Sequence, residues 1–417
     1  MDAFKPSSAP ANSTPWRKRP YHRQWLMDEA SALFEFFQVG LINPAGGFFE
    51  LDESGYPRTD NPVREIHNTT RMVHCYALAS LLGRPGADAI VDHGMNYLWN
   101  GHRDAQHGGY VWSLDDNGPR DDNKQAYGHA FVLLAAADAK VVGHPLADRL
   151  LEDITETINT RFWEPRHGAV REEFRRDWSE FSTYRGQNSN MHLTEALMAA
   201  FEATGERDYL DKAESIASLV IGTHAKALDY RVAEHFDADW VLDKTYANGD
   251  VFRPAGVTPG HWLEWSRLLL QLWALGGKRL AWLPEASKAL FRQSVELGWD
   301  KAHGGFFYTL DWDNQPALRQ KLWWPVSEAI GAAAYLTQHD ADPFFEDWYR
   351  KLWDFAANHV LDHDNGGWHP ELSETLEPGT TLFTGKPDLY HALQACLIPL
   401  YPAEGSLAKV IPEAVAA

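Results

Sequence analysis

One small turn recurs along the chain, as "AGGF" at 45–48, "HGGY" at 107–110, "HGAV" at 167–170, "HGGF" at 303–306 and "NGGW" at 365–368. Its leading glycines, Gly46, Gly108, Gly168, Gly304 and Gly366, are spaced by 62, 60, 136 and 62 residues. Because 136 is twice 68, one marker is missing near residue 236, where "DYRVAEHFDADW" stands instead. Six units of roughly 60–70 residues restrict the chain to a repeat architecture.

Between the markers, apolar residues recur at i, i+3 and i+4, the helical period. The pattern predicts twelve helices, over approximately 22–40, 62–83, 87–100, 121–142, 145–161, 188–204, 207–224, 259–277, 283–299, 325–339, 342–360 and 387–401. Twelve helices in six pairs make a closed double ring, an all-α fold. Short links such as "LGRPGAD" and "TGERD" join helices 2 to 3, 4 to 5, 6 to 7 and 10 to 11, with Gly and Pro ending one helix and opening another. The long links always follow an odd helix, so they share one end of the ring, the end where binding residues collect. Their alternation, as in "GGYVWSLDDNGP" and "GGFFYTLDWDNQP", predicts short β-hairpins there. No linker interrupts the pattern. Residues 1–20 are expected to be a disordered lead, 21–402 a single catalytic domain and 403–417 a C-terminal tail.

A formal charge of −20 repels polyanions and argues against nucleic acid as a partner. No run of 18 apolar residues offers a membrane span. The lead "MDAFKPSSAPANSTPWRKRP" lacks the apolar core of a signal peptide. Cys75 and Cys396 lie in apolar helical patterns without a CxxC partner, which fits buried thiols in a reducing cytoplasm. Eighteen Trp give modest support to a sugar cleft, where flat apolar surface must also offer an N–H donor.

The even-numbered helices are the more apolar of each pair and therefore form the inner ring. Near their N-terminal ends stand Arg71, Tyr127, His192, His261 with Glu264, Glu328 and His391. Counted from the marker glycines, Arg71 lies 25 residues on, Tyr127 19, His192 24, Glu328 24 and His391 25, and His261 lies 25 past the missing marker. Equivalent positions on successive inner helices face the axis, so these side chains are expected to meet at one level of one cavity. Buried ionisable groups are costly unless paired or functional, which favours a shared site over six separate accidents. Pro259 places His261 in the first turn of its helix, whose positive end favours a neutral imidazole. His261 and Glu264, at i and i+3, share a face, so Glu264 is expected to orient His261.

Three chemistries compete for these residues. His192, His261 and His391 could form a three-histidine metal site, but no HExxH or carboxylate cage accompanies them, and no metal or other cofactor is expected. Glu264 and Glu328 could be the two opposed carboxylates of a glycoside hydrolase, for which two further histidines are surplus. No Gly-x-Ser-x-Gly motif or P-loop supports a serine nucleophile or a nucleotide. Two histidines with Glu and Arg suit proton transfer beside a carbonyl, which needs an acid/base pair near neutrality and a group to steady enediolate oxygens. Arg71 and Arg253 are candidates for the latter.

At these residues the sequence resembles the N-acylglucosamine 2-epimerase superfamily from about residue 22 to 401. The matching stretches are "TTRMVHCYALASLLGRPGADAIVDHG", "KQAYGHAF", "YRGQNSNMHLTEA", "DYRVAEHFD", "TPGHWLEW", "WWPVSEA" and "KPDLYHAL". They are most similar to the bacterial aldose-ketose isomerases of mannose or sulfoquinovose. The resemblance implies an (α/α)6 barrel, no metal or nucleotide and a monosaccharide substrate; a monomer or weak homodimer is expected. It also implies a cis-enediol(ate) mechanism in which His391 moves a proton between C2 and C1 and His261 assists ring opening. By the same resemblance Arg71, Tyr127, Asn188, His192, Glu264 and Glu328 bind sugar hydroxyls or tune the histidines, and Arg253 joins them. Pro387 stands where sulfosugar isomerases carry Gln, which favours a neutral hexose. The 2-epimerases share both histidines, so the base pair alone leaves C2 epimerisation open.

Overall fold

The computed structural model describes residues 14–38, 40–61 and 63–416. Twelve helices alternate between two concentric rings: α1 (Pro20–Gln38), α2 (Ile66–Leu81), α3 (Ala87–Tyr97), α4 (Ala126–Val141), α5 (Ala147–Thr157), α6 (Gln187–Thr204), α7 (Arg207–Ala217), α8 (Pro259–Leu275), α9 (Trp282–Gln293), α10 (Trp323–His339), α11 (Pro343–Phe355) and α12 (Leu389–Leu397). Each even helix packs on the next, and α12 returns to α2, closing the inner ring of an (α/α)6 barrel. The inner helices are buried almost all round, whereas an outer helix such as α5 buries one stripe, Leu150, Leu151 and Ile154.

The barrel mouth is tied by a ladder of short antiparallel pairings. The residues just before an inner helix pair with the hairpin of the following unit: Arg64–Glu65 with Ser113–Leu114, Lys124–Gln125 with Glu173–Phe174, Arg185–Gly186 with His235–Phe236, Val257 with Leu310, and Lys321–Leu322 with Glu371–Leu372. The Lys386 N–H donates to the Leu51 carbonyl and completes the circle. These pairings explain why α2 and α4 begin at 66 and 126, later than the expected 62 and 121: the preceding residues are held extended by the ladder.

The missing marker is Tyr230. It adopts φ 59°, beside Asp229 at φ 53°, where other units place glycine at φ 67–111°. The stretch "REEFRRDW" at 171–178 is matched 62 residues later by "AEHFDADW" at 233–240, and Trp178 and Trp240 share a positive φ. The turn therefore lies six residues before the position that even spacing implied. Gly168 and Tyr230 are likewise 62 apart, and an inserted segment after 243 lengthens the fourth unit instead.

At the chain ends, residues 1–13 of the expected lead lie outside the described residues, while Trp16–Lys18 form a 3-10 turn. The expected tail contains a further helix, α13 (Leu407–Ala416), which packs on α2, α4 and α6 through buried residues including Leu407, Val410 and Ile411. Both cysteines are buried and free. Among the described residues no helix is long and apolar enough to cross a membrane.

Candidate active site

The first two turns of the inner helices carry the site in two tiers, not one. Tyr127, Asn188, His261 and His391 occupy the second or third residue of their helices, and Arg71, His192, Glu264 and Glu328 the sixth. One helical turn, about 5.4 Å of rise, separates the tiers. The upper tier faces the mouth, and the lower tier supports it from below.

His391 is held from the neighbouring helix. Its Nδ1 donates to Glu328 Oε1 at 2.8 Å, and Arg267 Nε donates to Glu328 Oε2 at 2.8 Å. Arg267 is itself anchored by Glu195, its Nη1 lying 3.1 Å from Oε1, and the Tyr390 hydroxyl donates to the other Glu195 oxygen. Burial alone would raise the Glu328 carboxyl, but Arg267 and the His391 ring outweigh it and hold it well below the ordinary range. Glu328 is thus a fixed anion that selects the Nδ1–H tautomer of His391 and leaves Nε2 for chemistry.

His261 has a different partner from the one its helix suggested. Its Nδ1 lies 3.0 Å from both oxygens of Glu234, and Gln187 Nε2 donates to Glu234 Oε2 at 2.7 Å. Trp265 Nε1 donates to Gln187 Oε1 at 2.8 Å, which fixes the way that amide faces. Burial opposes ionisation of Glu234, but the charge and hydrogen bond of His261 prevail and lower its carboxyl. Glu234 sits in the fourth hairpin, 27 residues before His261, and was absent from the sequence candidates. The signal available for it was the match of "EHF" to "EEF", which gives Glu234 the same place in its unit as Glu172.

Glu264 does not orient His261. Its Oε1 faces His192 Nδ1 at 3.4 Å, and neither atom finds a hydrogen-bond partner. Burial, then the charge of Glu328, raises the Glu264 carboxyl well above its ordinary range, so it stays neutral beside the anionic Glu328. Burial, reinforced by Arg71, keeps His192 neutral as well. Nor do Glu264 and Glu328 form an opposed hydrolytic pair: they sit on adjacent helices against one guanidinium, with Arg267 Nη2 3.9 Å from Glu264, and Glu328 is committed to His391.

Arg71 donates to Asp388 at 2.6 Å and to the Tyr127 hydroxyl at 2.8 Å. Asp388 also caps α12 by accepting from the Tyr390 N–H, which ties Arg71 to the helix of His391. Arg253 reaches from the inserted segment to Glu173 at 3.0 Å and Glu172 at 3.4 Å. Asn188 Oδ1 is buried without a hydrogen-bond partner, and the residue lines the outer cavity with Tyr127. One indole, Trp324, lies against both His261 (centroids 5.0 Å) and His391 (5.9 Å), so the two imidazole rings flank a single flat surface.

Within the site, among the described residues, the donors that converge as a metal set would are His192, Glu195 and Glu264, within 4.8 Å of one another, and not the three histidines. Arg267 already supplies the cation among them, and Nδ1 of both His261 and His391 is engaged by a carboxylate. A divalent ion there would meet a fixed positive charge.

The N-acylglucosamine 2-epimerase (GlcNAc 2-epimerase) family pattern matches residues 46–395. Curated relatives include a D-mannose isomerase of Thermobifida fusca, 45% identical over 407 residues (95% of this chain and 99% of the relative). A D-mannose isomerase of Pseudomonas cannabina pv. alisalensis is 43% identical over 405 residues (95% and 97%). Among solved structures, a D-mannose isomerase superposes with a TM-score of 0.85 at 33% identity, covering 90% of this chain and 97% of that one.

Proposed function

The chain belongs to the N-acylglucosamine 2-epimerase family and is an aldose-ketose isomerase, and on that footing we propose that it interconverts D-mannose and D-fructose, with D-lyxose and D-xylulose as a second pair. The observation that carries this reading is the pair of histidine–carboxylate dyads, His391–Glu328 and His261–Glu234, on either side of Trp324.

In the proposed reaction His261 moves the proton between O1 and O5 as the pyranose opens to the aldehyde. His391 Nε2 then takes the proton from C2. The electrons of that C–H bond form the C1=C2 double bond, and O1 becomes the enediolate oxygen, steadied by Arg71. His391 returns its proton to C1, while the proton on O2 passes to O1, leaving the C2 carbonyl of the ketose. No net proton is gained or lost, which suits histidines each paired with a fixed anion.

A neutral hexose is favoured over a phosphorylated or sulfonated one by the state of the nearby cations. Arg71 is paired with Asp388, Arg253 with Glu172 and Glu173, and Lys386 with Asp362. An anionic phosphate or sulfonate would have to displace one of these carboxylates.

Incubation of mannose in D2O is expected to give fructose labelled at C1, and His391→Ala to lower that exchange by about 10⁴-fold while hexitol binding persists. Glucose as the sole product would replace isomerisation by C2 epimerisation. Unchanged turnover in His391→Ala would remove His391 from the reaction.

A further inference from the structure

The helix that carries His391 has the least length with which to hold it. α12 runs for nine residues, where the other five inner helices have 16 to 18. Side chains fix its first turn instead. The Asp388 carboxylate accepts from the Tyr390 N–H, and the Tyr390 ring is clasped between Arg71, 4.8 Å from its centroid, and the ring of His74 at 5.4 Å.

From the Tyr390 hydroxyl a chain of hydrogen bonds leads to the very next residue. The hydroxyl donates to Glu195 Oε2 on α6, and Glu195 Oε1 accepts from Arg267 Nη1 on α8 at 3.1 Å. Arg267 Nε donates to Glu328 Oε2 on α10 at 2.8 Å, and Glu328 Oε1 accepts from His391 Nδ1 at 2.8 Å. The circuit leaves α12 at residue 390, crosses three helices and returns at residue 391, and all five of its members are buried. Phenylalanine would fill the same space, so the hydroxyl is the part that needs a reason.

That reason lies in the balance at Arg267. Its guanidinium serves two carboxylates with one donor each, and Glu264 is a third at 3.9 Å. Arginine grips a single carboxylate best with two parallel bonds. The Tyr390 hydroxyl fills the Glu195 oxygen that such a fork would use, which leaves Arg267 Nε for Glu328. We infer that Tyr390 is a positioning residue for proton transfer at C2: it limits Glu195 to one bond from Arg267, and so keeps Arg267 on Glu328 and Glu328 on His391. The inference rests on the reading of His391 as the C2 base. Without the hydroxyl, Arg267 turns to a two-bond grip on Glu195, Glu328 is released, and the His391 ring loses its orientation, while His261 keeps its own through Glu234.

The test compares Tyr390→Phe, Glu195→Gln, the two combined, and Tyr390→Phe with Glu234→Gln, on mannose and on mannose deuterated at C2. Tyr390→Phe is expected to lower kcat about 30-fold with KM within about twofold, and with an isotope effect on kcat no smaller than in wild type, because misplacing the base slows C–H cleavage. Cutting one circuit twice costs no more than cutting it once, so the Tyr390→Phe/Glu195→Gln variant should match the weaker single variant within about twofold, whereas the losses of Tyr390→Phe and Glu234→Gln should multiply. A kcat within about twofold of wild type, a smaller isotope effect, or losses that multiply along the circuit would overturn the inference. Glu195→Gln, close in shape to the native side chain, cuts the same circuit should Tyr390→Phe fail to fold. The Nδ1–H proton of His391, far downfield in the NMR spectrum and identified by its absence in His391→Ala, gives a readout without turnover. It is expected to exchange with water about tenfold faster in Tyr390→Phe and Glu195→Gln, and unchanged exchange in both would overturn the positioning role. Failure of wild type to turn over mannose strikes the function reading alone and leaves this exchange rate to decide the inference.

Discussion

The fourth unit of the barrel and the other five answer the same structural problem differently. Two residues before the inner helix, the second, third and fifth units bury a cation, Lys124, Arg185 or Lys321, and the sixth buries Lys386 three residues before. Each bridges to an acid under the glycine turn: Asp104 at 3.1 Å, Glu164 at 2.7 Å, Asp300 at 2.7 Å and Asp362 at 2.5 Å. The first unit keeps the cation, Arg64, with Tyr97 and Asp116 as partners. The fourth has Val257 there, Tyr230 in place of the glycine, and the inserted segment that carries Phe252 and Arg253. It also supplies His261 and Glu234. The repeated ion pairs build a rigid rim, and the unit that gives up its ion pair is the one whose loop reaches over the site.

The largest effect is expected from removing one repeated tie. Lys321→Met leaves Asp300 buried without its cation and should cost about 3–5 kcal/mol in urea unfolding at pH 7. Burial opposes the Asp300 charge, but Lys321 and neighbouring N–H donors bring its carboxyl down to about 2. A carboxyl lowered on folding adds stability above its unfolded range and loses it as pH falls toward the folded value. The deficit of the variant should therefore shrink between pH 7 and pH 3. A deficit constant across that range would mean that the lysine acts by packing alone, and the contrast with Val257 would lose its electrostatic basis.

The next effect compares the two dyads. Glu328 comes from an inner helix and is locked by Arg267, whereas Glu234 comes from a hairpin and is locked by Gln187. Glu234→Gln is expected to lower kcat roughly 100-fold with KM nearly kept, because His261 loses the carboxylate that orients its ring. Wild-type kcat in Glu234→Gln would make the fourth-unit acid a structural residue.

How far the sequence carried the reading follows from the same contrast. The glycine period exposes whatever repeats, so the double ring, the hairpins and the inner-helix residues Arg71, His192, Glu328 and His391 were legible from spacing. Spacing could not separate the two tiers, because residues two and six of a helix share a face. It also assigned Glu264 to His261 on local adjacency, when the carboxylate came from another link. What the repeat conceals is where it breaks, and that is where His261 finds its partner.

The finest comparison is between two glycines. Gly108 in the second unit and Gly256 at the return of the fourth-unit segment have φ of 76° and 87°, so alanine at either position pays the same left-handed strain, about 1 kcal/mol. A Cβ on Gly108 meets nothing within 4 Å, but on Gly256 it would lie 2.2 Å from the Leu310 carbonyl oxygen. That oxygen accepts from the Val257 N–H at 2.9 Å, in the rung that fixes the segment two residues before α8. Backbone held on both sides cannot yield as a flexible side chain would. Gly256→Ala should therefore cost about 2 kcal/mol against about 1 kcal/mol for Gly108→Ala in urea unfolding, and it alone should raise the KM for mannose, since the displaced rung carries Arg253 and His261 with it. Equal costs and equal KM values in the two variants would show that the segment tolerates displacement, and that the fourth unit holds the site by α8 alone.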